Sequence, residues 1–395
     1  MNRRDLLKTL AALPLLHGTR LYAAPQAGSK LLLVFMRGAY DAASLLVPVR
    51  NDFYMESRPT IAIASPGSGV GAALPLDADW GLHPVLRDSL LPLYQGKQLA
   101  FIPFAGTPDL SRSHFKTQNS IELGQPLEGK RDYRSGFLNR LVAVLAEEKI
   151  RGGAFTGQLP LIMTGSVQLP NIALKSASTK AASERQRRLV EAMYADTSLE
   201  GLVGEGYDLR MEARSALEKE TQEADGGAIS VAGLEGEVRR IAVMMRERFD
   251  IGFVDVGGWD THVNQGNTQG ALAIRLGKLG RALAGFAEEM GADWKKTVVV
   301  VISEFGRTFR ENGSKGTDHG HGTVYWVLGG GIDGGRIAGE QVHVTKESLH
   351  QDRDYPLLNE YRSMLGGLFT RMYGLSAQQL AAVFEDAPAK DLKLL

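Results

Sequence analysis

Two short stretches of this sequence bring carboxylates and histidines together. In the first, Asp255, Asp260 and His262 lie within eight residues, and the glycine pair Gly257-Gly258 turns the chain between them. Without thiolates, proteins hold divalent metals with carboxylate oxygens and imidazole nitrogens. The stretch therefore indicates a metal site; the alternative is a structural turn with hydrogen-bonded aspartates.

The second stretch reads Asp318-His319-Gly320-His321. Its glycines let the backbone approach an ion closely and leave both imidazole rings uncrowded. A single histidine is usually structural, but two histidines and an aspartate beside a strand favour metal binding. Asp318, His319 and His321 are therefore candidate ligands.

Two further carboxylates follow apolar runs. Asp41 comes after Lys30–Met36, and Glu304 comes directly after Thr297–Ser303. A carboxylate in such a place needs a metal, an arginine or backbone donors as its partner. Both are candidate metal ligands. The alternative for Asp41 is a helix cap, and the alternative for Glu304 is an ion pair with Arg307.

A candidate nucleophile follows the apolar run Leu99–Phe104. Ser111 and Ser113 stand where a helix is expected to begin, and the free N–H groups and dipole of a helix start favour anions. Arg112 could bind a phosphate or sulfate with its forked donors, and His114 could act as a base or as a metal ligand. The alternative for either serine is an N-cap, which is the commoner role there.

The apolar runs predict the strands that position these residues. The predicted strands are Lys30–Met36, Leu99–Phe104, Leu159–Met163, Phe249–Val254, Thr297–Ser303 and Thr323–Gly329. The predicted helices are Val85–Leu91, stopped by Pro92, and then Ser113–Leu123, Ser135–Glu147, Leu234–Arg248 and Gly270–Met290. This alternation indicates an α/β fold with a mostly parallel central sheet flanked by helices. Ligands of such folds bind beyond the carboxyl ends of the strands, next to the candidate residues.

The composition narrows the classes of function. The 395 residues carry 45 basic and 45 acidic side chains, which gives no support for a nucleic-acid binder. The absence of cysteine excludes disulfides, thiolate ligands and a cysteine nucleophile. Any metal is expected on histidines and carboxylates, and any covalent nucleophile on serine or threonine.

Residues 1–24 have the parts of an export signal. The pair Arg3-Arg4 precedes a short apolar stretch, and the small residues Ala23-Ala24 follow it. The pattern predicts a cleaved twin-arginine (Tat) signal, which exports folded proteins, and hence a periplasmic or secreted protein. No segment approaches transmembrane length. Residues 25–395 are expected to form one α/β domain with a charged helical insertion at about 180–225.

Six motifs, taken in order, resemble the family of domain of unknown function 1501. They are Arg37-Gly38-Ala39-Tyr40-Asp41, Gly81-Leu82-His83-Pro84, Arg112-Ser113-His114-Phe115, Gly257-Gly258-Trp259-Asp260-Thr261-His262, Ser303-Glu304-Phe305-Gly306-Arg307-Thr308 and Asp318-His319. The resemblance covers nearly the whole predicted mature chain. The family consists of Tat-exported bacterial proteins related to the alkaline phosphatase and sulfatase superfamily.

The resemblance implies an alkaline-phosphatase-like fold whose strand-end site holds up to two divalent metals. The resemblance implies the following counterparts of the superfamily site. Asp41 is similar to the metal ligand after the first strand, and Ser113 or Ser111 falls at the place of the nucleophile. Asp255 or Asp260 with His262 resembles a ligand segment, Glu304 resembles the strand-end carboxylate, and His319 or His321 resembles the last metal histidine. Phe305 stands where the superfamily has a further histidine, which argues for one metal, a weakened second site or none. A sulfatase with a cysteine-derived formylglycine is excluded.

Two hypotheses of function result. The first is an exported hydrolase of phosphate or sulfate esters, acting on a small-molecule or polymer substrate. In it Ser113 attacks, a divalent metal (zinc, manganese, calcium or magnesium) polarises the ester, and Arg112 or Arg307 holds its oxygens. The second is a non-catalytic exported protein that binds or assembles with a protein partner and needs no metal. A metal-free serine esterase is disfavoured, because no Gly-x-Ser-x-Gly motif occurs.

Overall fold

The computed structural model describes residues 28–67, 69–173 and 234–395, together with residues 193 and 197. The predicted signal at 1–24 lies outside the described residues, and so does the predicted insertion at about 180–225, apart from those two positions. Both stay predictions.

Most of the described strands belong to one large sheet. The strands are β1 (Lys30–Met36), β2 (Leu46–Pro48), β3 (Leu74–Pro75), β4 (Trp80–Leu82), β5 (Leu99–Gly106), β6 (Gly152–Ala154), β7 (Ile251–Val256), β8 (Thr297–Ser303), β9 (Thr323–Gly329), β10 (Arg336–Ile337) and β11 (Asn359–Glu360). The large sheet has the order β10-β5-β9-β8-β1-β7-β6, and β11 also pairs with β5. Strands β2, β4 and β3 form a small antiparallel sheet.

Among the described strands of the large sheet, β9 alone runs against the others. Strand β1 pairs in parallel with β7 and β8, whereas β9 pairs antiparallel with β8 and β5. The carboxyl ends of β1, β5, β7 and β8 therefore share one edge of the sheet with the amino end of β9. The predicted α/β fold with a mostly parallel central sheet is confirmed.

Strand β1 is buried on both faces of the sheet. All seven of its residues are buried, and they alternate between two cores. Leu31, Leu33 and Phe35 enter one core, and Leu32 and Val34 enter the other. Because successive side chains of a strand point to opposite faces, a strand covered on both faces needs an unbroken apolar run.

Helices cover both faces of the sheet. They are α1 (Ala42–Leu45), α2 (Asp52–Ser57), α3 (Leu90–Gln95), α4 (His114–Leu123), α5 (Phe137–Val144), α6 (Leu234–Glu247), α7 (Ala271–Met290), α8 (Tyr361–Tyr373) and α9 (Ala377–Val383). Helices α6 and α7 pack into the core on one face, and α5, α8 and α9 pack into the core on the other. Within the described parts of the chain, each helix is too short or too polar to cross a lipid bilayer.

Two predicted elements are wrong. The run Leu159–Met163 is no strand; it contains a single 3-10 turn at Leu161–Met163, whose Ile162 and Met163 are buried. A short apolar run is equally compatible with a buried turn, and the sheet edge is taken instead by β6. The predicted helix Val85–Leu91 is a 3-10 turn at Pro84–Leu86, followed by α3. Helix α3 contains Pro92 in its first turn, where a missing N–H costs nothing.

Candidate metal centre

Three imidazole nitrogens and one carboxylate oxygen converge beyond the sheet edge defined above. The Nε2 atom of His319 lies 2.9 Å from Nε2 of His114 and 3.0 Å from Nε2 of His262. Oδ1 of Asp260 lies 3.0, 3.4 and 3.7 Å from Nε2 of His262, His319 and His114, respectively. We call these four side chains the histidine cluster.

Each element contributes to the histidine cluster from its end. His114 is the first residue of α4, which follows β5, and Asp260 and His262 lie in the loop after β7. His319 precedes β9, and the antiparallel direction of β9 brings it to the same edge. The side chains of the cluster are between 20% and 43% exposed, so solvent and a substrate can reach them.

The second ring nitrogen of each histidine faces a hydrogen-bond acceptor. Nδ1 lies 2.7 Å from Oε1 of Glu304 for His114, 3.1 Å from Oδ1 of Asp318 for His262, and 3.0 Å from the Arg112 carbonyl oxygen for His319. Carbonyl and carboxylate oxygens accept, so a neutral ring carries its proton on Nδ1 and directs the Nε2 lone pair into the cluster.

The electrostatics favour a bound cation. Burial lowers the pKa of His319, so this ring is neutral at neutral pH. Around Nε2 of His319, the Nε2 atoms of His114 and His262 and Oδ1 of Asp260 lie at 2.9, 3.0 and 3.4 Å, and their lone pairs repel one another unless a cation lies between them. Ligand atoms of His114, Asp260 and His319 all lie within 4.8 Å of one another, as a metal site requires, and Nε2 of His262 lies 3.0 Å from those of His319 and Asp260. The donor set therefore fits a divalent metal.

Glu304 contacts the histidine cluster through the ring of His114 and does not itself reach the point where the Nε2 atoms meet. It is fully buried at the end of β8, and its Oε1 accepts hydrogen bonds from the Gly38 amide, His114 Nδ1 and Gln118 Nε2. Burial alone would raise its pKa, but these hydrogen bonds outweigh it and hold the pKa below its usual range. The carboxylate predicted as a ligand thus contacts the far nitrogen of a histidine.

The loop after β1 approaches the cluster through a glycine. Gly38 has a φ of +116°, and a Cβ there would lie 2.9 Å from the Asp260 amide nitrogen. Only glycine combines this backbone conformation with such a close approach.

Both arginines predicted to hold a substrate are engaged within the protein. Arg307 is buried and donates to Oδ1 of Asp260, to the carbonyl oxygens of Gly38 and Ala39, and to that of Thr317. Burial raises the pKa of Asp260, but the Arg307 hydrogen bond and the nearby positive charges lower it overall. Arg307 thus orients Asp260 instead of facing solvent.

Arg112 donates from Nε and Nη2 to Oδ2 of the fully buried Asp354, at 3.1 and 2.6 Å. Its own carbonyl oxygen holds His319. The guanidinium therefore contributes to the scaffold around the cluster.

The two candidate serines differ in their hydrogen bonding. Ser113 is the N-cap residue of α4, and its hydroxyl makes no cap hydrogen bond. It is half-buried and directly precedes His114. Ser111 is exposed, and its hydroxyl lies 3.2 Å from Thr117 Oγ1. Of the two hydroxyls, that of Ser111 therefore has a side-chain partner, whereas that of Ser113 makes no cap hydrogen bond.

Besides Glu304, four predicted ligands lie outside the histidine cluster and have partners of their own: Asp41, Asp255, Asp318 and His321. The 1% exposed Asp41 receives Arg58 Nη1 and Nη2 at 2.6 and 2.9 Å. Asp255 pairs with Arg37 at 2.7 Å. Asp318 supports His262 and also accepts from Asn312 at 3.0 Å.

His321 packs its ring against His350, with 5.2 Å between ring centroids. Burial, together with the smaller effect of the charges of His350 and Arg112, lowers the pKa of His321 to about 4. This histidine is therefore neutral and lies apart from the convergence point.

Phe305 closes the apolar side of the cluster. Its ring stacks on His114 at a centroid distance of 4.9 Å and lies 5.3 Å from the ring of His319. Phenylalanine offers no ligand atom, so this position supports the rings of one metal site and provides nothing to a second one.

Two residues of the candidate site, His114 and Gln118, were not assigned from the sequence. His114 was open between a base and a ligand, and the structure directs its Nε2 into the cluster. Gln118, which holds Glu304 at 2.8 Å, was missed. The signal for it was its position four residues after His114, since such residues share one face of a helix.

A comparison with protein families assigns the chain to a family. The family model described as "Protein of unknown function (DUF1501)" matches residues 29–384, which confirms the family resemblance. No curated protein matches the chain in sequence.

Solved structures show only a remote likeness. A protein of the alkaline phosphatase superfamily from Vibrio parahaemolyticus has a TM-score of 0.35 and 11% identity, over 83% of this chain and 69% of that one. The lipoteichoic acid synthase LtaP from Listeria monocytogenes has 0.35 and 8%, over 94% and 77%. Alkaline phosphatase from the Antarctic bacterium TAB5 has 0.30 and 11%, over 76% and 91%. Nothing about the activity of this chain follows from likeness at this level.

Proposed function

Because the chain belongs to the DUF1501 family, whose description assigns no function, we propose a function from the site itself: an exported, metal-dependent hydrolase of phosphate or sulfate esters. The observation that carries the proposal is the convergence of three imidazole lone pairs with Asp260, with every Nδ1 tied to an acceptor. Metal-binding histidines in proteins are oriented in this way, by a carboxylate or carbonyl on the far nitrogen.

The donor set favours zinc among the four predicted metals. Imidazole nitrogens suit zinc and later transition metals, whereas magnesium and calcium prefer shells of oxygen. The histidine cluster supplies three nitrogens and one oxygen, and that oxygen is shared with Arg307. When bound, such a metal would supply Lewis-acid polarisation of the ester and neutralise the charge that develops on its oxygens.

We assign the nucleophile to Ser113, since its hydroxyl is free of a cap hydrogen bond and lies next to His114 in the chain. Its Oγ forms a bond to phosphorus or sulfur and its proton passes to solvent. The bond to the ester oxygen breaks, and that oxygen leaves as an alcohol after taking a proton from water. A water molecule then hydrolyses the seryl ester, which releases phosphate or sulfate and restores the hydroxyl.

Ser113→Ala tests this assignment directly. We expect turnover of p-nitrophenyl phosphate, bis-p-nitrophenyl phosphate or p-nitrophenyl sulfate by the zinc-loaded protein to be lost, while its zinc content is unchanged. Ser111→Ala is the matched control and should keep its activity. Full activity of Ser113→Ala together with an inactive Ser111→Ala would transfer the role to Ser111.

A second candidate function is a non-catalytic exported protein, for binding or assembly with a partner, in which the cluster holds a structural metal. The favouring observation is that the histidine cluster offers four protein donors, the number that structural zinc sites use, while Arg112 and Arg307 are both engaged elsewhere. Zinc that raises the melting temperature without turnover of any of the three esters would support this function over the hydrolase.

Export by the twin-arginine pathway is part of the proposal and rests on Arg3-Arg4 and the apolar stretch after them. Replacing both arginines by lysine should leave the uncleaved precursor inside the cell, as measured by fractionation and immunoblotting. Normal export of that variant would contradict the proposed route.

A further inference from the structure

We infer that Glu304 is a positioning residue that orients His114, and not itself a metal ligand. The inference rests on the proposed metal site and deepens it. It departs from what the family resemblance implies, namely that this strand-end carboxylate binds the metal.

The hydrogen bonds of Glu304 leave little capacity for a metal. Its Oε1 accepts from the Gly38 amide at 2.8 Å, from His114 Nδ1 at 2.7 Å and from Gln118 Nε2 at 2.8 Å. Its Oε2 accepts from the Ser303 hydroxyl at 2.9 Å. Three donors on one oxygen use its lone pairs, so the side chain acts on the cluster through His114.

The surroundings of Glu304 are built to hold this carboxylate in place. Gln118 lies on the same helix face as His114, and its Oε1 accepts from Arg37 at 3.1 Å, which fixes the amide with its NH₂ group towards Glu304. Gly38 brings its amide close through a backbone conformation that disfavours a side chain. Glu304 in turn determines which nitrogen of His114 carries the proton.

Glu304→Gln removes the charge and keeps the shape. The amide oxygen can still accept the three hydrogen bonds. The new NH₂ group can donate to Ser303 Oγ, whose hydroxyl then donates to the Met36 carbonyl oxygen at 2.7 Å. A neutral acceptor makes His114 a weaker base, so the affinity for zinc should fall roughly 10–100-fold. Zinc affinity is measured on the purified protein by competition with a chromophoric chelator.

Glu122→Gln is the matched control. Glu122 is a second buried glutamate of the same region, which pairs with Arg37 at 2.9 Å and accepts from the Ile162 amide at 3.0 Å. Within the described part of the chain its partners are Arg37 and Ile162 and not the histidine cluster, so its variant should bind zinc like the wild type. Unchanged zinc affinity of Glu304→Gln would overturn the inference, and so would a loss as large as that of His114→Ala, because that loss is expected of a ligand.

The ring proton of His114 gives a readout that needs no metal. Long-range ¹H–¹⁵N correlation spectra of the metal-free protein should show the Nδ1–H form of His114 in the wild type. They should show a mixture of both forms in Glu304→Met, which has no acceptor. An Nε2–H form in the wild type would overturn the inference. A wild-type protein that binds no zinc would contradict the proposed function, while the spectra still decide the role of Glu304.

Discussion

Asp41 and Asp260 follow strands β1 and β7, which are neighbours in the sheet, yet their surroundings differ completely. Asp41 is 1% exposed and receives two nitrogens of Arg58, the Ser44 hydroxyl and the Gln265 amide. Asp260 is 43% exposed and faces three histidines across 3.0–3.7 Å. Both were candidate ligands by sequence.

The difference shows what separates a scaffold carboxylate from a candidate ligand. Four donors surround Asp41, and its guanidinium partner cancels its charge inside the protein. Around Asp260, Arg307 is the donor, and the imidazoles present lone pairs. The Asp41–Arg58 pair therefore compensates its own charges within the protein, whereas the histidine cluster is a candidate site for a cation.

The largest expected effect comes from breaking the Asp41–Arg58 pair. Arg58→Met leaves a buried carboxylate without a counter-charge, which should cost about 3–5 kcal/mol of unfolding free energy. Urea unfolding measures it. The control Lys346→Met breaks an exposed pair at 3.7 Å and should cost about 0–1 kcal/mol.

The double variant Asp41→Leu/Arg58→Met sharpens this test, since removing both charges should recover most of the loss. It should also bind zinc like the wild type. A large drop in its zinc affinity would show that Asp41 belongs to the metal site after all.

In the histidine cluster around Asp260, His319→Ala removes one donor. The affinity for zinc should fall by more than about 100-fold, beyond what loss of a supporting residue causes, and zinc should no longer co-purify. Elemental analysis by mass spectrometry measures the content. His321→Asn, which changes a predicted ligand outside the cluster, is the matched control; equal losses in both variants would contradict the assigned donor set.

Gly38→Ala tests the close approach beneath the cluster. The added Cβ would lie 2.9 Å from the Asp260 amide nitrogen, at a φ of +116°, so the loop must shift. We expect roughly 1–3 kcal/mol of lost stability and weaker zinc binding. Gly67→Ala has a φ of +87° with nothing within 4 Å, so the difference between the variants isolates the contact.

The smallest expected effect is on pH dependence. Burial alone would raise the pKa of Asp41, but Arg58, Ser44 and Gln265 outweigh it and lower the pKa below its usual range. The unfolded state then binds the proton first, so this contribution is complete above about pH 4 and is lost as the pH falls through the folded-state pKa. Urea titrations between pH 5 and 3 should show a shallower slope for Asp41→Leu/Arg58→Met than for the wild type; equal slopes would contradict the shift.

Much of the fold was predictable because the strand signal is local. Strands β1, β8 and β9 have the predicted bounds, since an unbroken apolar run between polar turns is a property of the sequence itself. Leu159–Met163 failed because burial alone does not distinguish a strand from a turn. The candidate site was partly predictable, because the turns that hold Asp260, His262 and His319 are rich in glycine and polar residues.

The sequence by itself determined the alternating strands and helices, the edge of the sheet at which the chemistry lies, and the residue types available there. Only the tertiary structure decided which carboxylates face imidazoles and which face arginines. Arg58 is 17 residues from Asp41, and Glu304 is 190 residues from His114. The direction of β9, which brings His319 to the cluster, was decided by pairing between distant strands. A lone pair is directional, so its role depends on the partner opposite it, and that partner is set by packing.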